Sequence, residues 1–278
     1  MTSAGVKITI LVDNQAGDKL IAEHGLSLWI ETEGKHILFD TGQGNALEVN
    51  AHVLGVDLGM TDILVLSHGH YDHTGGIAQV LQQAHNAGIY CHPGIVQPRY
   101  AIRDRTPKSI QMPQISMAAI DRLPSQRLHW VQQPMLLSGK ISITGPIPRE
   151  TDYEDTGGPF YLDPEGSRID SIDDDLALWI QKDDGLVVCI GCSHAGLVNT
   201  LNHVRRLSSG VRIRAVIGGF HLLNASRERL NQTMAVLRFL EPDRIVPCHC
   251  TGEPAVALLR DVFGERVSPG AAGMKYQF

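Results

Sequence analysis

One ten-residue run constrains this chain more than any other feature: Ser67-His68-Gly69-His70-Tyr71-Asp72-His73-Thr74-Gly75-Gly76. It follows Asp62–Leu66, a short apolar run suited to a strand buried on both faces, and it leads into a segment with helical spacing. Three imidazoles and a carboxylate occupy six consecutive positions. Neutral imidazole and carboxylate are natural ligands of zinc, iron and manganese. In an extended chain His68 and His70 point the same way, while Asp72 and His73 turn in a second direction, so one loop can feed two adjacent metal positions. The glycines let the backbone bend tightly there. A polar loop that holds this set by accident is the weaker alternative.

Three further histidines stand just past the ends of expected strands. His194 lies in Gly191-Cys192-Ser193-His194-Ala195-Gly196 after Leu186–Ile190, His221 follows Arg212–Ile217, and His249 follows Asp243–Val246. Ligands gather at that edge in sheets with helical crossovers. Asp40 ends a strand just ahead of the histidine run, where a carboxylate can orient a ligating imidazole. Cys192, two residues from His194, reads as a soft ligand or a redox-sensitive thiol. Cys189 reads as a small buried residue, and the Cys248-His249-Cys250 spacing does not suit a structural zinc knuckle. His24, His36, His52, His85, His129 and His203 lack this context and are assigned to surface or core. His92 sits at a strand end before Pro93, which suggests a turn, with a ligand role as the lesser alternative. Asp173, Asp174 and Asp175 read as a solvated turn, with a role in the pocket as the alternative.

The rest of the chain supplies a scaffold. Strands are expected at Val6–Val12, Leu26–Glu31, Lys35–Phe39, Asp62–Leu66 and Gly88–Cys91, with helices over Asn45–Leu54 and Gly75–Ala87. Hairpins follow at Met135–Leu137 with Lys140–Thr144 and at Leu176–Gln181 with Leu186–Ile190. Helices Leu197–Leu207, Ser226–Leu240 and Pro254–Phe263 alternate with strands after them. Two halves with this order, packed sheet to sheet, give an α/β protein built as a four-layer αββα sandwich. At 278 residues the expectation is a single domain over 1–278, with an inserted lid or arm at about 93–134. Arg99, Arg103, Arg105 and Lys108 make that insertion basic, either as a solvated face or as a lid that meets an anionic substrate. Thr151–Arg168 reads as a second active-site loop. A net charge of −6 argues against nucleic acid as a partner. Five cysteines, no leader pattern in Met1–Val12 and no apolar run of membrane-spanning length predict a cytoplasmic protein without a membrane partner. Homo-oligomerisation is left open.

Phe39-Asp40-Thr41-Gly42 followed by His-x-His-x-Asp-His resembles the metallo-β-lactamase superfamily, and the αββα order agrees over essentially the whole chain. Gly191–Thr200, Gly218-Gly219-Phe220-His221-Leu222 and Pro247-Cys248-His249-Cys250-Thr251-Gly252 are similar to the branch named for 7,8-dihydropterin-6-methyl-4-(β-D-ribofuranosyl)aminobenzene-5′-phosphate synthase. The resemblance implies that His68 and His70 bind a first metal, and that Asp72 and His73 bind a second. It gives His249 as the last ligand histidine, His194 as the remaining one, and Asp72 as the catalytic carboxylate that positions a hydroxide. Many hydrolytic relatives place a bridging aspartate after the strand equivalent to Leu186–Ile190; here Gly191-Cys192-Ser193 stands instead. His221 either completes the shell or holds substrate. The implied cofactor is one or two divalent ions, zinc foremost, with iron or manganese as alternatives. The implied function is that of a hydrolase or transferase acting through metal-activated water on a small anionic, phosphorylated, pterin-like molecule. The alternative is a metal-containing protein on the same fold that binds or senses a small molecule or carries out redox chemistry.

Overall fold

The computed structural model describes residues 5–278, so the first four residues of the Met1–Val12 stretch lie outside the described residues. Lys7–Val12, Ser27–Thr32 and Lys35–Phe39 form an antiparallel meander in which Ile8 faces Ile30 and Ile30 faces Ile37. Glu33 and Gly34, at φ 51° and 71°, make the second turn a left-handed two-residue loop that matches strand twist. Ile63–Val65, Gly88–Cys91 and Leu128–Trp130 then add in parallel, and Lys275–Gln277 closes the opposite edge to complete seven strands. The second sheet has six strands. Met135–Ser138, Ile141–Ile143, Ala177–Lys182 and Gly185–Ile190 run antiparallel, and Ile213–Gly219 and Arg244–Cys248 continue in parallel.

Alternation along these strands fills three apolar layers. Ile8, Ile30 and Val65 of the first sheet meet Ile141, Val187 and Ile217 of the second in the central core. Leu38, Leu64 and Ile89 face outward beneath the helices Leu47–Leu54, Ile77–Gln83 and Gln114–Asp121. Val188 and Val216 face outward beneath Leu197–Leu207, Arg227–Leu240 and Glu253–Phe263. The result is the four-layer αββα sandwich.

Three local features depart from the sequence reading. The helix expected over Gly75–Ala87 is present but shorter, at Ile77–Gln83, and a separate single-turn helix at Tyr71–Thr74 precedes it. A Cβ on Gly75 would stand 2.2 Å from the Gln43 carbonyl oxygen, so the chain passes too close to the 43–44 loop for any side chain. The segment 93–134 divides in two. Tyr100–Arg103 and Thr106–Ser109 form a hairpin that Phe160–Tyr161 extends to three strands. The remainder supplies a helix and a sheet strand to the sandwich itself. Asp174 and Asp175 are buried, not solvated, and so is Arg99 of the basic run. Among the described residues no helix is long and apolar enough to cross a membrane.

Candidate metal centre

The site is built outward from Asp40, which is fully buried at the end of Lys35–Phe39 with φ at 60°. Its Oδ1 accepts the Ser67 N–H at 2.7 Å, and its Oδ2 accepts both the Ser67 hydroxyl and His73 Nδ1, each at 2.7 Å. Because the Ser67 hydroxyl donates to Asp40, its oxygen is left to accept from His68 Nδ1, 2.9 Å away. One carboxylate therefore orients two imidazoles through their Nδ1 atoms, His73 directly and His68 by way of Ser67, and turns their Nε2 atoms toward His70 and Cys192. His194 and His249 are held the same way, by the Thr156 carbonyl at 2.7 Å and by Asn14 Oδ1 at 2.8 Å. His70 stands beside His68, its Nδ1 at 3.0 Å from His68 Nε2.

These donor atoms converge. His68, Cys192 and His194 form one compact donor group, and His73, Cys192 and His249 form a second. His24, Asp72 and His249 make a third, and Cys192, His221 and Cys250 a fourth, with the ligand atoms of each group within 4.8 Å of one another. Cys192 is common to three of them, and its Sγ lies 3.1 Å from His73 Nε2. Sulfur thus stands between the two histidine clusters, where the sequence showed no bridging aspartate. His221 joins the sulfur-rich group, with its φ at 46°. Asp40, Ser193 and His249 share this left-handed backbone, so strain is concentrated at the site.

Burial holds His68, His70 and His194 well below the usual imidazole range, with their imidazole neighbours adding to the effect. These rings are neutral, the form that ligates. His73 differs: burial alone would lower it, but the Asp40 charge and hydrogen bond outweigh that and raise it to about 9. Burial pushes Asp72 upward, yet hydrogen bonds from His24 and His249 prevail and keep its carboxylate ionised. The Nε2 atoms of His70 and His194 are buried without a hydrogen-bond partner, a costly arrangement that a cation would satisfy. A set of imidazole, carboxylate and cysteine sulfur donors fits a divalent transition metal.

The structure brings His68, His70, Asp72, His73, His194, His221, His249, Asp40 and Cys192 to one place. It adds residues that the sequence reading passed over. His24 Nε2 lies 3.1 Å from Asp72 Oδ2, and Asp13 accepts the His249 backbone N–H at 2.8 Å. Asp174, Asp175 and Arg99 brace the floor. Asp174 accepts the Gly69 N–H at 2.8 Å and pairs with Arg99 at 2.5 Å, and Asp175 accepts the Ala195 N–H at 2.7 Å. A pocket of about 560 Å³ opens over the donors, lined by Asn14, Tyr71, Phe160 and Asn224 among others.

A family model described as the metallo-beta-lactamase superfamily matches residues 21–249. A Methanocaldococcus jannaschii protein named 7,8-dihydropterin-6-methyl-4-(beta-D-ribofuranosyl)-aminobenzene-5′-phosphate synthase is 30% identical, covering 98% of this chain and 97% of that one. An uncharacterized protein of the same organism is 34% identical over 91% of this chain and 93% of its own. The crystal structure of a metal-dependent hydrolase of the beta-lactamase superfamily superposes with a TM-score of 0.83 at 27% identity, covering 98% of this chain and 99% of that chain.

Proposed function

The chain belongs to the metallo-beta-lactamase superfamily, and from that premise we propose that it is a metal-dependent hydrolase or transferase acting on a small anionic, phosphorylated substrate. The observation that carries this reading is the convergence of buried Nε2 atoms with Asp72 and Cys192 beneath one pocket. The synthase name of the relative in M. jannaschii favours a pterin-like molecule and a transfer reaction. His68, His70 and His194 would hold one divalent ion and Asp72, His73 and His249 a second, with Cys192 between them; zinc suits these donors best. Such ions lower the pKa of bound water from about 16 toward 7 and polarise the bond under attack.

The protein's own residues then divide the work. Asp40 keeps the His73 and His68 rings turned inward through the contacts described above. Asp72, ionised and within 3.4 Å of His249 Nε2, is placed to orient a water and take its proton. His24, half exposed and bonded to Asp72, offers that proton a path to solvent. The surrounding burial excludes bulk water from the donor floor and strengthens every charge interaction there. Replacing His68 with Ala is expected to abolish phosphoester turnover while circular dichroism shows an intact fold. Undiminished turnover in a folded variant would overturn the proposal.

A further inference from the structure

The three strands Tyr100–Arg103, Thr106–Ser109 and Phe160–Tyr161 lie over the pocket, and their register decides which side chains it meets. Ala101 opposes Lys108 on one side and Phe160 on the other, and Arg103 opposes Thr106. Opposed residues share a face, as do residues two apart along a strand. Ala101, Arg103, Thr106, Lys108 and Phe160 therefore project from one face of the small sheet, and all five line the pocket. The loop between Arg103 and Thr106 is two residues long, with Asp104 and Arg105 at φ 50° and 61°; this turn keeps the strands in regular twist and the register fixed.

The face is graded. The Phe160 ring packs 5.3 Å from that of His70 and 5.4 Å from that of His194, at the donor cluster. Arg103 and Lys108 are exposed on the same face, and neither forms an ion pair among the described residues. Lys108 Nζ stands 5.6 Å from the centre of the Tyr71 ring, another pocket residue. Arg99, only four positions before Arg103, is spent on Asp170 and Asp174 and takes no part. Two unpaired cations on a pocket wall attract an anion, and the guanidinium fork matches phosphate or carboxylate oxygens.

We propose that this face reads a second anionic group of the substrate, so that the preferred molecule is a ring-bearing compound charged at both ends. Its reacting group lies at the His68–His249 cluster, its ring packs on Phe160, and its distal phosphate or carboxylate is held by Arg103 and Lys108. The inference rests on the cluster being the reacting centre. Calorimetric titration of the zinc-loaded full chain with phenyl phosphate, para-carboxyphenyl phosphate and para-phenylene bisphosphate tests it. At least one two-headed probe should bind about tenfold tighter than phenyl phosphate, as a charged hydrogen bond supplies. The better of the two identifies the distal group as carboxylate or phosphate. Arg103→Ala with Lys108→Ala should bring that probe down to the affinity of phenyl phosphate while leaving phenyl phosphate binding and zinc content unchanged. Equal affinities for all three probes in the natural protein would overturn the proposal, as would an equal loss for all three in the variant. Binding of the two-headed probes without phenyl phosphate would instead count against the cluster as reacting centre and leave the cationic face standing. No binding of any probe would refute both.

Discussion

Asp40→Asn is the substitution that separates charge from shape at this site. Position 40 has φ at 60°, and Asn, like Asp, is one of the few residues other than Gly that adopt this conformation, so the backbone is not disturbed. The side chain stays the same size in a space with no solvent access. What changes is hydrogen bonding. The carboxylate accepts three hydrogen bonds, and an amide has only one oxygen to accept with. If the Asn oxygen stays on the Ser67 N–H, the amide nitrogen faces His73 Nδ1, and that ring must give up its Nδ1 proton and keep only one on Nε2, the atom beside Cys192. If the oxygen faces His73, a buried N–H of Ser67 meets an N–H donor. Either arrangement forfeits a hydrogen bond to a charged group, costing about 1.5–3 kcal/mol of stability. Loss of such an orienting carboxylate lowers metal affinity about 10–100-fold. Zinc titration against a chromophoric chelator, with a denaturant curve of the metal-free protein, reads both quantities. Unchanged zinc affinity in the variant would refute the claim that Asp40 orients the His68 and His73 rings for a metal.

Two other outcomes follow from the buried charges beneath the pocket. Arg99→Met leaves Asp170 and Asp174 without their cation in a site where Arg99 is 1% exposed, and should cost about 3–5 kcal/mol in chemical denaturation; an unshifted midpoint would contradict this. Asp175 is raised by burial from 3.8 to about 7, so the folded protein binds its proton more readily than the unfolded chain does. Its contribution to stability is present below 3.8 and is lost as pH rises through about 7. Asp175→Asn should therefore become progressively more stable relative to the natural protein across that window, and a pH-independent difference would refute the assignment.

The donor cluster is legible in the sequence in proportion to how local it is. His68, His70, Asp72 and His73 lie on one strand–loop–helix junction, and their spacing alone indicates two directions of ligation. Asp40 was legible because it ends a neighbouring strand. His24, Asn14 and Asp13 were not, since what matters is their contact with Asp72 or His249, and Asn14 and Asp13 meet His249 across more than 230 residues. Arg99 sits in a run of basic residues that look alike in sequence. Only Asp170 and Asp174, brought in from a later loop, select it for burial and leave Arg103 and Lys108 exposed. The acidic run is ambiguous for the same reason: three adjacent aspartates suit a solvated turn or a pocket until the Gly69 and Ala195 N–H groups are placed against two of them. The closing strand Lys275–Gln277 is too short for pattern to distinguish from a tail.

On the function proposed above, the converging histidines, Asp72 and Cys192 constitute a two-position metal centre. Elemental analysis of the protein purified without added metal, alongside His249→Ala, tests it most directly. About two equivalents of a divalent transition metal, falling in the variant, is the predicted result. A single equivalent unaffected by the substitution would contradict the two-position arrangement, and no metal in either protein after reconstitution would contradict the claim outright.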